Sequence, residues 1–162
     1  MQPDAKDFWW SYLASYEAGP GAVRVNLGLK QQAPVGDYPN LIITGTTYVT
    51  TRSDGFPDQT DFERLDALSS KVVAAIQTVS PSVYVGTFTH NREQLHYVYV
   101  KDVKGVKESL SALYAKVCTG CKIYTNIKTD PAWTAYKDFL YPNQAILKFH
   151  ENELRKIGFR AQ

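Results

Sequence analysis

The spacing of the apolar residues changes within residues 1–30, which predicts a helix followed by a strand. Apolar side chains first recur every three or four residues, as on one face of a helix that Asp4 is placed to cap. They are Phe8, Trp9, Tyr12, Leu13 and Tyr16. Gly19-Pro20-Gly21 ends this predicted helix, and apolar and polar residues then alternate from Val23 to Leu29, as in a strand with one buried side.

The same two periods divide the rest of the chain into strands and helices. The predicted strands cover residues 41–51, 83–89, 95–101 and 121–128. The predicted helices carry apolar stripes over residues 62–79, 106–117, 133–140 and 146–157. The middle two of these strands are joined through residues 90–93 as a hairpin.

The predicted order of elements is α-β-β-α-β-β-α-β-α-α. From the second strand to the fifth it is βαββαβ, which is the ferredoxin-like arrangement. We therefore predict an α+β fold in which residues 1–162 form one domain, with two helices on one face of an antiparallel sheet. The extra N-terminal helix and strand add to this core, the strand at an edge of the sheet, and the two C-terminal helices cover the remaining hydrophobic surface.

The composition is that of a globular domain and argues against two functional classes. The chain has 162 residues, of which 44% are hydrophobic and 21% charged. A net charge of +2 does not indicate a strongly polyanion-seeking protein, and no apolar run is long enough to span a membrane. The charge is nevertheless segregated, because residues 1–81 carry 6 basic and 9 acidic side chains whereas residues 82–162 carry 12 and 7. The basic excess includes Lys101, Lys104, Lys107, Lys116, Lys122 and Lys128, which fit a solvated surface, an acidic partner or nucleic acid.

The N-terminus leaves the compartment open. Residues 1–7 contain no apolar signal core, as in a cytoplasmic protein. The segment Gln2-Pro3-Asp4 suits equally well the mature end of an exported protein from which a signal peptide was removed.

The two cysteines, Cys118 and Cys121, form one Cys-x-x-Cys pair. One such pair is half of a zinc site, and the histidines His90, His96 and His150 lie in no ligand spacing, so we expect no metal and no cofactor. The pair follows a predicted helix, whereas a thioredoxin-like pair opens one. A short-range disulfide and a pair of ordinary thiols both remain open.

No catalytic motif is found in the sequence. It contains no Gly-rich phosphate loop, no Gly-x-Ser-x-Gly and no His-Glu-x-x-His. Arg52 and Asp54 flank a turn that is best explained by turn chemistry and helix capping. We therefore predict no catalytic residues, and a hydrolase or nuclease whose residues meet only in the folded chain is the alternative.

The aromatic residues divide into a core group and a surface group. Trp9, Tyr12, Tyr16, Trp133 and Tyr136 have helical spacing, which is typical of core. The hairpin and the segment after it are predicted as an interaction surface. Its residues are His90, Arg92, His96, Tyr97, Tyr99, Lys101, Lys104 and Lys107. Stacking of single-stranded RNA on Phe88, Tyr97 and Tyr99 is a weaker alternative, because no RNA-binding signature accompanies them.

Several short motifs give the chain a family resemblance. In order they are Trp9-x-x-Tyr12, Gly19-Pro20-Gly21, Val25 to Leu27, Asp54-Gly55-x-Pro57, Val85-Gly86-Thr87-x-Thr89, Tyr97-x-Tyr99 and Asp130-Pro131-x-Trp133-x-x-Tyr136-x-x-x-Leu140-x-Pro142. Each motif is weak alone, but their order and spacing resemble the bacterial domain family of unknown function DUF695 over nearly the whole chain.

The resemblance implies a context rather than a reaction. The family has no established activity, so no site residue is carried over from it. Some relatives continue into a domain similar to regulator of ribonuclease activity B, an inhibitor of an endoribonuclease. Many relatives resemble exported proteins, which implies a Cys118–Cys121 disulfide and a periplasmic, envelope or secreted location, with the cytoplasm as the alternative.

These observations favour a non-enzymatic domain that acts through contact with a protein partner, as an inhibitor or regulatory module. A complete fold without a catalytic constellation, aromatic surface candidates and a segregated charge all point in this direction. Nucleic acid is a less favoured partner.

Overall fold

The computed structural model describes residues 6–160 and shows an α+β protein built on one antiparallel sheet. The strands are β1 (Trp9–Tyr16), β2 (Gly19–Asn26), β3 (Asn40–Thr47), β4 (Ser82–His90), β5 (Glu93–Val100) and β6 (Ile123–Thr129). The helices are α1 (Phe62–Gln77), α2 (Val106–Val117), a π-helix (Ala135–Leu140), α3 (Gln144–Phe149) and α4 (Glu151–Lys156). The strand order in the sheet is β1-β2-β4-β5-β3-β6, and the predicted fold class is confirmed.

The N-terminal segment is a strand, and the helix predicted there is wrong. β1 forms an antiparallel hairpin with β2, in which Trp9 lies opposite Asn26 and Tyr16 lies opposite Gly19. Its buried aromatic residue Tyr12 lies two positions after another buried residue, Trp10, which is the period of a strand. The predicted cap, Asp4, lies outside the described residues. Gly19-Pro20-Gly21 begins β2 instead of ending a helix.

The central part of the chain follows the predicted order. From β3 to β6 the elements are βαββαβ, and the four strands stand in the order β4-β5-β3-β6. The hairpin between β4 and β5 turns at Asn91 and Arg92, which both have positive φ, as a tight hairpin turn requires. The ferredoxin-like name for this core stays a prediction.

The sheet separates two hydrophobic cores because neighbouring strand residues face opposite sides. On one side, Ile42 and Val98 pack with α1 and α2. On the other side, Leu41 and Tyr99 pack with the C-terminal segment, which we define as residues 130–159 and which includes Trp133. The C-terminal segment therefore covers one face of the sheet, while α1 and α2 cover part of the other.

The C-terminal segment is held by Trp133, which is fully buried. Its Nε1 donates a hydrogen bond to the Tyr38 carbonyl oxygen at 2.9 Å, and its ring stacks on Tyr99 with centroids 4.2 Å apart. The helix predicted from this position begins a little later, as the π-helix, because Trp133 itself has a φ of +57°.

Cys118 and Cys121 follow α2 directly. Their sulfur atoms lie at disulfide distance, and their Cα atoms are 5.5 Å apart. The strand predicted from Cys121 begins at Ile123, so the pair closes the turn that leads from α2 into β6.

Candidate binding groove

A groove of about 740 Å³ runs between α1 and the strands β1, β2 and β4. Its α1 wall carries Asp66, Ser69, Ser70, Val73, Ala74 and Gln77. Its floor carries residues of the sheet, including Ser11, Arg24, Tyr84 and Thr87. Small side chains dominate the wall, so a ligand in this groove can come close to the α1 backbone.

The groove exists because α1 and α2 do not cover the whole width of the sheet and leave β1 and β2, at one edge, uncovered. α1 packs on β4 and β5, and α2 packs beside α1. β1 and β2 extend the sheet beyond α1, and on the α1 side they expose Ser11, Leu13 and Arg24 to solvent.

A chain of polar side chains lies beneath the groove. The Tyr84 hydroxyl contacts Thr87 Oγ1, which lies 2.9 Å from Nδ1 of His96. The other ring nitrogen of His96, Nε2, lies 3.4 Å from Ser69 Oγ on α1. His96 is 2% exposed, and this burial lowers the pKa of its imidazole to about 4, so the ring is neutral at pH 7.

The contact between Ser69 and His96 is not that of an activated nucleophile. Ser69 Oγ donates to the Leu65 carbonyl oxygen at 3.0 Å, which is shorter than its contact with His96. A serine nucleophile instead donates its proton to the histidine that acts as its base. The network is satisfied when Thr87 donates to His96 and His96 donates to Ser69, which joins the sheet to α1.

One end of the groove is apolar. A depression of about 340 Å³ continues from it and is lined by Leu13, Phe56, Pro57, Phe62 and Leu65, among others. Leu13 is 67% exposed and Phe62 is 49% exposed. Exposed large apolar residues that adjoin one another are typical of an interaction site.

The charged residues of the groove differ in how they are engaged. The Arg24 guanidinium lies over the Trp9 ring, 4.3 Å from its centroid. Arg52, at the apolar end, forms an ion pair of 2.6 Å with Asp54. Asp66 on α1 forms no ion pair with any residue in 6–160. The groove thus presents one carboxylate and one cation that is stacked but not neutralised.

Three residues of the predicted interaction surface are buried, so the prediction that they form an exposed surface is wrong. His96, Tyr97 and Tyr99 are 2%, 7% and 0% exposed. His96 faces α1, whereas the two tyrosines face the C-terminal segment. For the same reason, neither tyrosine is available to stack on an RNA base in this structure.

The other members of the predicted surface lie at two ends of β5. His90 and Arg92 belong to the hairpin at its start, where His90 Nδ1 lies 3.0 Å from the Pro20 carbonyl oxygen. Lys101, Lys104 and Lys107 are exposed beyond its end. A strand of 8 residues, about 23 Å long, separates the two groups, so they are not adjacent. The binding role of each group stays a prediction.

The aromatic core prediction holds for three residues and not for two. Tyr12, Trp133 and Tyr136 are buried. Trp9 and Tyr16 are half-buried on β1. Nothing in the sequence predicts the groove itself, because the helical period places Leu13 on a buried stripe and no motif includes Arg24 or Asp66.

The fold and the groove define an α+β protein whose sheet extends past its helical layer. The chain belongs to the family described as "Family of unknown function (DUF695)", which matches residues 7–141. Neither a curated protein nor a solved structure matches the chain. Within residues 6–160, no helix is long and apolar enough to cross a membrane, and no group of three or more His, Cys, Asp or Glu side chains is placed to hold a metal ion.

Proposed function

We propose that this chain is a protein-binding domain that holds an amphipathic helix of a partner beside α1, over β1 and β2. The observation that supports this is the incomplete helical layer: α1 packs on β4 and β5, whereas β1 and β2 expose their residues on that side. A regulatory or inhibitory role follows if the bound helix is one that the partner needs for its own activity.

The size of the uncovered area favours a helix. Neighbouring strands lie about 4.8 Å apart, so two strands make a strip about 10 Å wide. A helix with its side chains has a diameter of about 10–12 Å. One helix lying next to α1 would therefore cover β1 and β2 and extend the existing layer.

The apolar end of the groove supplies the anchor. Leu13 projects from the middle of β1 and is 67% exposed, and Phe62 lies at the start of α1. A Leu or Phe on the partner helix would bury both side chains. Such central apolar contacts carry most of the binding free energy in protein interfaces.

The charges specify the polar edges of the partner helix. Asp66 has no ion-pair partner within residues 6–160, so a Lys or Arg on the partner helix would form an ion pair with it. Arg24 lies over the Trp9 ring and forms no ion pair within residues 6–160, so a Glu or Asp on the helix would pair with it. We therefore expect an amphipathic helix with both charge signs and an apolar stripe at spacings of three and four.

A location in the periplasm, the cell envelope or outside the cell is part of the same proposal. Cys118 and Cys121 lie at disulfide distance, and disulfides persist in oxidising compartments. Contact with a helical segment in that compartment is the role we assign, with the cytoplasm as the alternative location.

Site-directed photocrosslinking tests the function. Benzoylphenylalanine replaces Leu13 in one sample and Val49, which is 87% exposed and outside the groove, in the control. Irradiation in an extract of producing cells should give one adduct at position 13 that is missing at position 49. The crosslinked segment, made as a synthetic peptide, should bind the purified protein and gain helical circular dichroism.

Substitution decides whether that peptide occupies the groove. Leu13→Asp should weaken peptide binding at least about tenfold, whereas Val49→Asp should leave it unchanged. Equal adducts at both positions, an adduct between two copies of this chain, or a peptide that binds Leu13→Asp normally would each refute the proposal.

A further inference from the structure

A second pocket, of about 870 Å³, lies on the other side of the molecule from α1, where the two ends of the described chain meet. It opens between the turn after β2 and the segment that follows the π-helix. Every charged residue that lines it is basic: Lys6, Lys30, Lys137 and Arg160. It shares no lining residue with the groove beside α1.

The pocket is built by tertiary contacts that fix both chain ends. The Leu27 amide donates to the Phe8 carbonyl oxygen at 2.8 Å, and the Phe8 amide donates to Asn26 Oδ1 at 2.8 Å. The Phe8 ring packs on the Phe159 ring, with centroids 5.1 Å apart. Lys6 lies two residues before Phe8, and Arg160 directly follows Phe159. These contacts therefore hold both cations in the lining of the pocket.

The four cations are not neutralised by the protein. Within residues 6–160, none of them forms an ion pair. Lys30 lies over the Tyr141 ring, with Nζ 4.9 Å from the centroid. This contact positions the ammonium group but does not neutralise its charge. Like charges converging on one pocket raise its positive potential, and an anion that enters it is stabilised by all four.

We propose that this pocket binds a small organic molecule that carries several phosphate charges. Lysine and arginine are the usual partners of phosphate oxygens. Leu27, Leu147 and Phe159 supply an apolar floor for the rest of such a molecule. The volume lies in the range of small-molecule sites. The overall charge of +2 conceals this site, because acidic residues elsewhere on the chain balance its four cations.

Calorimetric titration with inorganic pyrophosphate tests the site. The wild-type chain should bind saturably, and Lys30→Gln/Lys137→Gln should weaken the affinity about tenfold or more. The matched control is Lys71→Gln/Lys116→Gln, which removes the same charge from α1 and α2, outside the pocket. The control should keep the wild-type affinity within about twofold. Circular dichroism of both double variants checks that each is folded.

Three outcomes would overturn the proposal. The first is the absence of saturable pyrophosphate binding by the folded wild-type chain. The second is an equal loss of affinity in both double variants, which would show only general attraction to a basic surface. The third is binding to vesicles that contain phosphatidylglycerol without binding to free pyrophosphate, which would make the ligand a membrane surface.

Discussion

Tyr99 on β5 donates a hydrogen bond of 2.7 Å to Asp130 Oδ2 and thereby connects the centre of the sheet to the start of the C-terminal segment. The same carboxylate accepts from the backbone amides of Thr134 and Ala135, both at 3.0 Å. The buried Asp130 carboxylate thus accepts hydrogen bonds from a side chain of the sheet and from two backbone amides at the start of the π-helix. Neither partner is near the other in sequence.

Replacing Asp130 by Asn should lower the free energy of unfolding by about 2 kcal/mol, because the amide cannot accept all three hydrogen bonds. Burial raises the pKa of Asp130, but the hydrogen bonds from Tyr99 and from the backbone outweigh it and hold the pKa below its usual value. The stabilisation is therefore present above about pH 4 and is lost as the pH falls through the lower pKa of the folded state.

Urea unfolding at pH 7 and at acid pH measures both effects of the Asp130 substitution. The control, Asp138→Asn, changes an exposed carboxylate on the π-helix and should match the wild type; an equal loss in both variants would contradict this account.

His96 should make the protein less stable as the pH falls from about 6.5 to about 4. The unfolded chain takes up a proton near pH 6.5, whereas burial keeps the folded imidazole neutral down to a pKa of about 4. The difference corresponds to about 3 kcal/mol over this window. His96→Asn should flatten the pH dependence measured by urea unfolding. His90→Asn keeps His96 and should keep the slope, and a slope that survives His96→Asn would assign it to other groups.

The cysteine pair should contain no free thiol. Titration of the denatured, unreduced protein is expected to detect none, and two thiols would refute the disulfide and remove the support for an oxidising compartment. Because the bridge closes a loop with a sequence separation of 3, replacing both cysteines by Ser should cost only about 2 kcal/mol.

Gly45 should tolerate no side chain. It lies in β3, paired with Leu95 of β5 and Tyr124 of β6, and a Cβ at this position would collide with the Gln94 backbone. Gly45→Ala should therefore destabilise the protein by about 3 kcal/mol. Gly36→Ala, where a Cβ has no neighbour within 4 Å, is the matched control for the change in backbone entropy. Equal melting temperatures for the two variants would show that β3 and β5 move apart easily.

The two cores should unfold together, as expected if residues 1–162 form one domain. Ile42 and Leu41 are adjacent on β3 but belong to opposite cores, so loss of one core disrupts the strand that supports the other. Val72→Ala, in the core beneath α1, should lower stability by about 2 kcal/mol. Trp9 lies against Tyr84 on the α1 side, so the measurement is made in a Trp9→Phe background. The fluorescence of Trp10 and Trp133 then reports on the opposite core and should show the same shift in urea midpoint. A fluorescence transition that does not move would reveal two independent units.

The hydrophobic periods predicted most elements, and the one element of the wrong type has a physical explanation. Over residues 8–16 the apolar side chains fit a helical stripe, yet Trp10 and Tyr12 also fit the alternation of a strand. Aromatic residues favour strands when a partner strand is present. The sequence also predicts a strand that overlaps this partner, β2, but no local feature indicates that it pairs with the segment before it.

The candidate surface was less predictable than the fold. Tyr97 and Tyr99 alternate correctly for a strand, but burial of their face depends on Trp133 and its neighbours, which follow much later in the chain. The helical period predicts that Leu13 is buried, but it is exposed, because β1 extends beyond the helix α1. The first error concerns which face of a correctly predicted strand is covered, whereas the second also follows from the wrong element type over residues 9–16.

The sequence alone determined the α+β class, the order of the central elements and the family resemblance, because these depend on local periods, turn residues and short motifs. Only the tertiary structure decided that residues 9–16 form an edge strand, that two uncovered strands create a groove beside α1, and that four basic residues from distant parts of the chain meet at one pocket. The physical reason is that burial and electrostatic potential arise from residues brought together across the whole fold, whereas periodicity records only which side of a segment is apolar.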